Sequence, residues 1–279
     1  MRAKTKTKAL LKQILSEAKV VDSPRLNRLG LQILRSGLAH AVHRVRHFPV
    51  RADVADHVTT LRNEGIVIVP NFLSPVEFDD LRDEFLRVLE HHEGQFMAVD
   101  GANRYLLGYV HELGEEVVPN VCAFLRNERL RAILEGVEKR PWDAFFHSAG
   151  LELVRFGADG EPDPQGTPHS DSFHHTHKAW LYLEDVAVEN GPLALYRGTH
   201  KLTLDKVRPI YSHSTHEGDE LSRRVEVAEL VRLGIPETLA VCPKNTLVVA
   251  NTHAYHRRTQ GVDGAMRSAV HVVARANPF

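Results

Sequence analysis

Apolar residues in the first fifty positions recur at helical spacing, with basic residues between them. Leu10, Leu11, Ile14, Leu15 and Ala18 make one set, ringed by Lys4, Lys6, Lys8, Lys12 and Lys19. Leu26, Leu29, Ile33, Leu34 and Leu38 make a second, entered at Ser23-Pro24 with Pro at the first helical position. The pattern predicts a basic helical pair packed on the main domain with a solvated face. The sharper alternative is an interfacial helix on anionic lipid, or a dock for an acidic partner.

From Ala52 the pattern is more regular. Ala52 to Asn63 reads as a short helix, and Gly65-Ile66-Val67-Ile68-Val69 as a β-branched strand ended by Pro70-Asn71. Ser74-Pro75-Val76-Glu77 is a capping box. It opens a helix to about His92, with Phe78, Leu81, Phe85, Leu86 and Leu89 on the core face. Within the less patterned residues 94–118, Arg104 to Leu107 reads as a strand. Val121 to Lys139 reads as one further amphipathic helix. Beyond Phe145 short strands take over: Glu152 to Phe156, Lys178 to Leu183, Leu193 to Tyr196, Thr246 to Ala250 and Ala269 to Val273. Gly157 to Pro168 is a Pro- and Gly-rich loop, Glu189-Asn190-Gly191-Pro192 a turn, and residues 201–235 a polar, partly helical lid. Helices followed by evenly spaced short strands predict an α+β domain with a β-sandwich or barrel-like core.

Charge divides the chain at the same place. Residues 1–51 hold twelve Lys/Arg and two acids (Glu17, Asp22), whereas the remainder holds 23 basic and 34 acidic residues, so a net charge of −1 conceals a basic extension and an acidic domain 52–279. No apolar run has the length of a membrane span and no signal peptide opens the chain. Two cysteines, Cys122 and Cys242, are too few for a disulfide framework, so a cytoplasmic location with buried free thiols is expected. Nucleic acid is not expected as a partner, because the main domain is acidic and carries no binding motif. No GxSxG, phosphate-binding Gly-rich loop or Cys/His nucleophile arrangement is present.

The chemistry-bearing stretch is His169-Ser170-Asp171. In a strand, residues two apart share a face, so both side chains reach one point. A third ligand is available from Asn251-Thr252-His253-Ala254-Tyr255-His256-Arg257-Arg258. Two histidines, a carboxylate and open positions form the facial triad of non-haem Fe(II) oxygenases. His253 and His256 compete for the third place; their odd spacing prevents both from facing one metal in a regular strand. His174, His175 and His177 form a second cluster, read as a polar loop beside the site or as a zinc site. Lys178 and Arg155 are candidates to meet an anionic substrate.

Around the His-x-Asp pair stand Lys178-Ala179-Trp180, Asn190-Gly191-Pro192-Leu193 and Gly198-Thr199-His200-Lys201, followed by His256 and, eleven residues later, Arg267. With these motifs, and the Gly65-to-Ser74 stretch, residues 52–279 resemble the phytanoyl-CoA dioxygenase family of Fe(II)/2-oxoglutarate oxygenases. The resemblance implies a double-stranded β-helix (jelly-roll, cupin-like) with flanking helices. It implies His169, Asp171 and His256 as iron ligands, Arg267 on the distal carboxylate of 2-oxoglutarate, and Trp180 beside that co-substrate. A guanidinium fork suits the task. If Asp263-Gly264 makes a two-residue hairpin turn, Arg267 pairs with Gln260 and shares a face with His256. His200 is expected as a structural hydrogen-bonding residue. Arg258 stands where the family often has a small hydroxyl residue, which puts the detailed co-substrate contacts in question. Asp171 argues for hydroxylation or a related oxidation, since iron halogenases on this scaffold replace that carboxylate.

The implied activity uses Fe(II), 2-oxoglutarate and O2 to hydroxylate an unactivated C–H bond of a small-molecule or lipid-like substrate, releasing succinate and CO2. A catalytically inactive jelly-roll scaffold and a zinc-dependent hydrolase using His174, His175 and His177 are the alternatives.

Overall fold

In the computed structural model, which describes residues 10, 12–92, 97–100, 102–215 and 223–279, the alternating segments become strands of two antiparallel sheets. In chain order the strands are β1 (Ile66–Val69), β2 (Met97–Asp100), β3 (Asn103–Tyr109), β4 (Phe146–Arg155), β5 (His169–Ser170), β6 (His177–Tyr182), β7 (Leu193–Tyr196), β8 (Arg223–Arg224), β9 (Glu237–Leu239), β10 (Thr246–Asn251), β11 (His256–Arg258) and β12 (Met266–Arg275). The larger sheet runs β1-β10-β6-β12-β4-β3-β2 and the smaller β8-β5-β11-β7-β9. Strands far apart in sequence are thus neighbours in space. With the helices described below this is an α+β jelly roll.

The period of two along β6 sorts its side chains between two cores. Ala179 and Leu181 join the cluster under the helices, while Trp180 and Tyr182 face the smaller sheet with Leu193 and Leu195. The helices are α1 (Pro24–Arg28), α2 (Leu31–Val45), α3 (Ala55–Glu64), α4 (Pro75–His92), α5 (Pro119–Leu125), α6 (Glu128–Glu138) and α7 (Leu204–Thr215), with shorter turns between. The capping box at α4 forms as expected: Glu77 N–H donates to Ser74 Oγ (3.3 Å) and Ser74 N–H donates to Glu77 Oε2 (3.0 Å). Phe78, Leu81 and Phe85 are buried, but Leu86 is exposed and Val88 takes the next inward place. The single helix expected over Val121 to Lys139 is two, α5 and α6. Asn127 breaks the run by capping α6, its Oδ1 accepting from the N–H groups of Arg129 and Leu130.

The N-terminal segment departs further from the pattern. Residues 1–9 and Leu11, which carry part of the first predicted helix, lie outside the described residues; Ala18 and Lys19 are not helical. Ser23-Pro24 does open a helix, but Gly30, at φ +93°, separates α1 from α2. The expected apolar stripe faces solvent: Leu29 is 84% and Leu34 71% exposed, whereas Asn27, Gln32, Arg35 and Ser36 are buried. Arg35 explains this. Its guanidinium donates to the carbonyls of Ile14 (2.9 Å), Ala18 (2.8 Å) and Ser16 (2.7 Å) and lies over the Phe173 ring, 3.6 Å from its centroid. A buried cation with that many partners outweighs leucine burial in setting which face turns inward. Of the lid predicted over 201–235, α7 and a short helix Val227–Arg232 are described; residues 216–222 lie outside the described residues. Cys122 and Cys242 are buried free thiols, and no described helix is long and apolar enough to cross a membrane.

Gly65 is not the first strand residue but the left-handed C-cap of α3, at φ +86°. A Cβ there would lie 2.7 Å from His200 Nδ1. His200 is itself fixed, its Nε2–H donating to the Arg62 carbonyl (3.0 Å). Gly65→Ala is expected to cost about 2 kcal/mol or more, from the left-handed backbone plus the forced shift of a buried ring. Urea unfolding of the two proteins measures it; equal midpoints would contradict this account.

Candidate metal centre

β5 and β11 pair so that His169 and His256 are direct partners, with ring centroids 4.5 Å apart. After β5 the chain bends, and Asp171 N–H donates to Thr252 O (2.9 Å). This turns the carboxylate back toward both rings: Asp171 Oδ1 lies 3.8 Å from His169 Nε2, and Oδ2 3.7 Å from His256 Nε2. One ligand atom from each residue therefore falls within 4.8 Å of the others. Among the described residues no other group of three His, Cys, Asp or Glu converges in this way.

The far side of each ring is also fixed. His169 Nδ1–H donates to Thr167 O (2.9 Å) and His256 Nδ1–H to Ala254 O (3.0 Å). A carbonyl can only accept, so the proton sits on Nδ1 and Nε2 presents its lone pair to the cluster. Burial, with His256 adding to it, pushes His169 down to about 4, and burial lowers His256 as well. Both imidazoles are then neutral at physiological pH, the form that binds metal. Burial alone would raise Asp171; the Lys178 ammonium overrides it and holds the carboxyl well below the usual range. Lys178 Nζ sits 2.8 Å from Asp171 Oδ2. Burial would lower the Lys178 ammonium, but the Asp171 carboxylate outweighs it and keeps Lys178 charged. Two neutral imidazoles and one ionised carboxylate suit a divalent first-row metal with open positions.

Beside the triad lies a cavity of about 180 Å³ between the sheets. β6 contributes Lys178, Trp180 and Tyr182; β12 contributes Arg267 and His271; β4 contributes Glu152. These positions share a face because each pair on a strand is separated by an even number of residues. Arg267 is 6% exposed; its Nη1 donates to Gly191 O, its Nη2 lies 3.8 Å from Glu152 Oε1, and its Nε has no hydrogen-bond partner. A buried guanidinium with an unmet donor fits a carboxylate-bearing ligand. The Asp263-Gly264 turn forms, with Ala265 N–H donating to Val262 O (3.0 Å), but the strands beyond it part into different sheets. Arg267 therefore pairs with Val154, not Gln260, and reaches the cavity from the sheet opposite His256.

Trp180 stacks on His271, centroids 5.3 Å apart. Arg258 lines the cavity and pairs with Asp163 (3.0 Å), both nearly buried. Asp163 also accepts from Asn103 Nδ2 (2.8 Å), so Arg258 is held by the Gly157-to-Pro168 loop. Glu152, His271 and Asp163 were not singled out from the sequence. The available signals were Glu152 within an apolar strand and His271 four residues from Arg267. Arg155 does not line this cavity.

His253 stands apart from the triad: its Nδ1–H donates to Ser172 O (2.9 Å), and its Nε2 lies 3.2 Å from His40 Nε2. His174, His175 and His177 do not converge either. His174 Nδ1 pairs with His175 O (2.9 Å), His175 Nδ1 with Asn251 Nδ2 (2.7 Å), and His177 Nδ1 with Glu138 Oε1 (2.6 Å). His175 and His177 instead line a second cavity, of about 830 Å³, against His40 and His43 of α2. It shares no lining residue with the first.

Burial drives these rings neutral: His43 and His174 fall to about 3, His200 to about 4, and His175 goes well below its ordinary value. In the unfolded chain they titrate near 6.5. The unfolded state therefore binds more protons below that pH, and the native state loses stability as pH falls from about 6.5 through 4 to 3. Urea midpoints of the metal-free protein should be flat above about pH 7 and drop steeply toward pH 4. His43→Gln should make the drop shallower, and a midpoint independent of pH would contradict the assignment.

The family described as Phytanoyl-CoA dioxygenase (PhyH) matches residues 61–235. The match includes His169 and Asp171 and ends before His256 and Arg267. No curated protein matches the chain. Among solved structures, the epimerase SnoN in complex with Fe3+, alpha ketoglutarate and nogalamycin RO is similar, with 18% identity and a TM-score of 0.59 over 81% of this chain and 84% of that one. EctD from S. alaskensis with 2-oxoglutarate and 5-hydroxyectoine gives 14% identity and a TM-score of 0.59, covering 83% and 80%. The carbocyclase SnoK from nogalamycin biosynthesis gives 18% and 0.54, covering 80% and 84%. At these identities the likeness establishes the fold.

Proposed function

The chain belongs to the phytanoyl-CoA dioxygenase (PhyH) family of Fe(II)/2-oxoglutarate oxygenases, and on that premise we propose that it hydroxylates an unactivated C–H bond of a small-molecule or lipid-like substrate. Residues 52–279 form the catalytic unit in this reading, with 1–51 as an extension. The observation that carries it is the convergence of His169, Asp171 and His256, with both rings anchored through Nδ1. These three would hold Fe(II), and Arg267 would receive the distal carboxylate of 2-oxoglutarate beside Trp180. Bound together, iron and the keto acid supply the oxidation, consuming O2 and releasing succinate and CO2.

The protein's own part is binding, orientation and exclusion of water. The Nδ1 anchors spare the rings any reorganisation when metal arrives. Lys178 keeps Asp171 ionised and faces the cavity, where its charge also suits an anionic group of the substrate. Glu152 and the Gly191 carbonyl restrain Arg267 at its two terminal nitrogens, and its Nε is left unmet for the ligand. Arg258, tied to Asp163, accounts for a large side chain at a place where a small one is common, so it does not favour the inactive-scaffold alternative. The dispersal of His174, His175 and His177 counts against a zinc hydrolase built on them. SnoN and SnoK are named as an epimerase and a carbocyclase, so the fold serves several outcomes. The Asp171 carboxylate supports hydroxylation over halogenation here.

Anaerobic addition of Fe(II) and 2-oxoglutarate to the metal-free protein should give a visible iron-to-keto-acid charge-transfer band. The band should vanish in His256→Ala, persist in His253→Ala, and need roughly 100-fold more 2-oxoglutarate in Arg267→Ala, the scale of losing a charge-assisted bidentate contact. Succinate release with candidate substrates then follows. No band at any concentration would overturn the oxygenase assignment.

A further inference from the structure

The inverted orientation of the N-terminal helices leaves a specific surface outside. On α2, Leu34, Leu38, Ala41 and Val45 follow spacings of four, three and four, a single stripe along a helix of about 22 Å. Leu34 is 71%, Leu38 51% and Val45 70% exposed, and Leu29 just before them 84%. Arg25, Arg28 and Arg44 are exposed beside the stripe. No Asp or Glu occurs between Asp22 and Asp53, a stretch with six arginines.

Rotation of the helices cannot hide this face. Their inner side is fastened by polar contacts: Asn27 Nδ2 donates to Val21 O and Ser214 O (both 2.8 Å), Gln32 Nε2 to Lys19 O (3.1 Å), and Arg35 to three carbonyls. Turning the leucines inward would break every one of these contacts and leave the carbonyls of Ile14, Ser16 and Ala18 without the donors that Arg35 supplies. The leucines are therefore held outward by the native contacts themselves.

We propose that this face docks on an anionic lipid surface, with the leucines entering the headgroup–acyl boundary and the flanking arginines on the acidic headgroups. Charge decides between occupants. A second copy meeting this patch about a two-fold axis would set its exposed arginines against their own copies. A protein partner would use aromatic anchors, and no Trp, Tyr or Phe lies between Pro24 and Val45. A row of aliphatic side chains flanked by arginine matches the chemistry of a bilayer interface. The proposal is independent of the iron site.

The test is sedimentation of the full-length protein, without iron or co-substrate, with vesicles of phosphatidylserine and phosphatidylcholine or of phosphatidylcholine alone. Leu34→Glu/Leu38→Glu and Arg25→Gln/Arg28→Gln variants are run in parallel; all four positions are exposed, so thermal midpoints should match the parent. Binding should favour the anionic vesicles and weaken with added salt. Each double variant should lower the partition coefficient by roughly ten-fold or more. Equal binding to both vesicle types, variants that bind like the parent, or a soluble dimer dissociated by Leu34→Glu/Leu38→Glu would each overturn the proposal.

Discussion

The arrangement depends on keeping one carboxylate ionised where burial opposes it. Asp171 is driven toward its neutral form by desolvation, and the Lys178 ammonium, 2.8 Å away, reverses that outcome. A neutral carboxylic acid would leave the cluster with three uncharged donors and little reason to hold a divalent cation. Lys178 is therefore as much a part of the centre as the residues that converge. Its place is fixed by register: β6 is paired on both sides, opposite Ala250 of β10 and Val273 of β12. A slip by one residue would put Lys178 among the apolar side chains under the helices and Ala179 in the cavity.

The same alternation separates two environments across one sheet. His177 lines the larger cavity and pairs with Glu138, while Lys178, its neighbour, lines the smaller one and pairs with Asp171. Behind the sheet His43, His174, His175 and His200 are neutral because they are buried, and each holds a neighbouring group through one ring nitrogen. Those in front are neutral and have a nitrogen left over. His174 and His200 also keep one nitrogen without a partner, so what marks a ligating histidine is that its free nitrogen converges with a second one and a carboxylate, as those of His169 and His256 do with Asp171.

This explains what could be read from the sequence. His169 and Asp171 are two apart in a β context, and the apolar runs read as strands at 65–69, 246–250 and 269–273 follow a local period, so the pair and the middles of these strands were legible, though not their ends. The capping box at Ser74 was legible because its two hydrogen bonds join residues three apart. The Arg267–Gln260 pairing expected from the Asp263-Gly264 turn failed because a turn determines only its own residues. Beyond it the strands join different sheets, and nothing local specifies that. Glu152 and His271 went unremarked for a related reason: their role arises where β6 and the sequence-distant strands β4 and β12 meet.

The N-terminal helices show the limit most clearly. Helical spacing of Leu26, Leu29, Ile33, Leu34 and Leu38 predicts an amphipathic element, but it does not say what lies against which side. The usual inference, that the apolar side turns inward, assumes that the polar side has water as its best partner. Here the carbonyls of Ile14, Ser16 and Ala18 outcompete water for Arg35, because a guanidinium presents five donors in a fixed plane and the turn presents three acceptors to match. Once that contact forms, the remaining stripe has nowhere to go but outward. Periodicity thus identifies the element, and hydrogen-bond satisfaction of one buried cation decides its orientation.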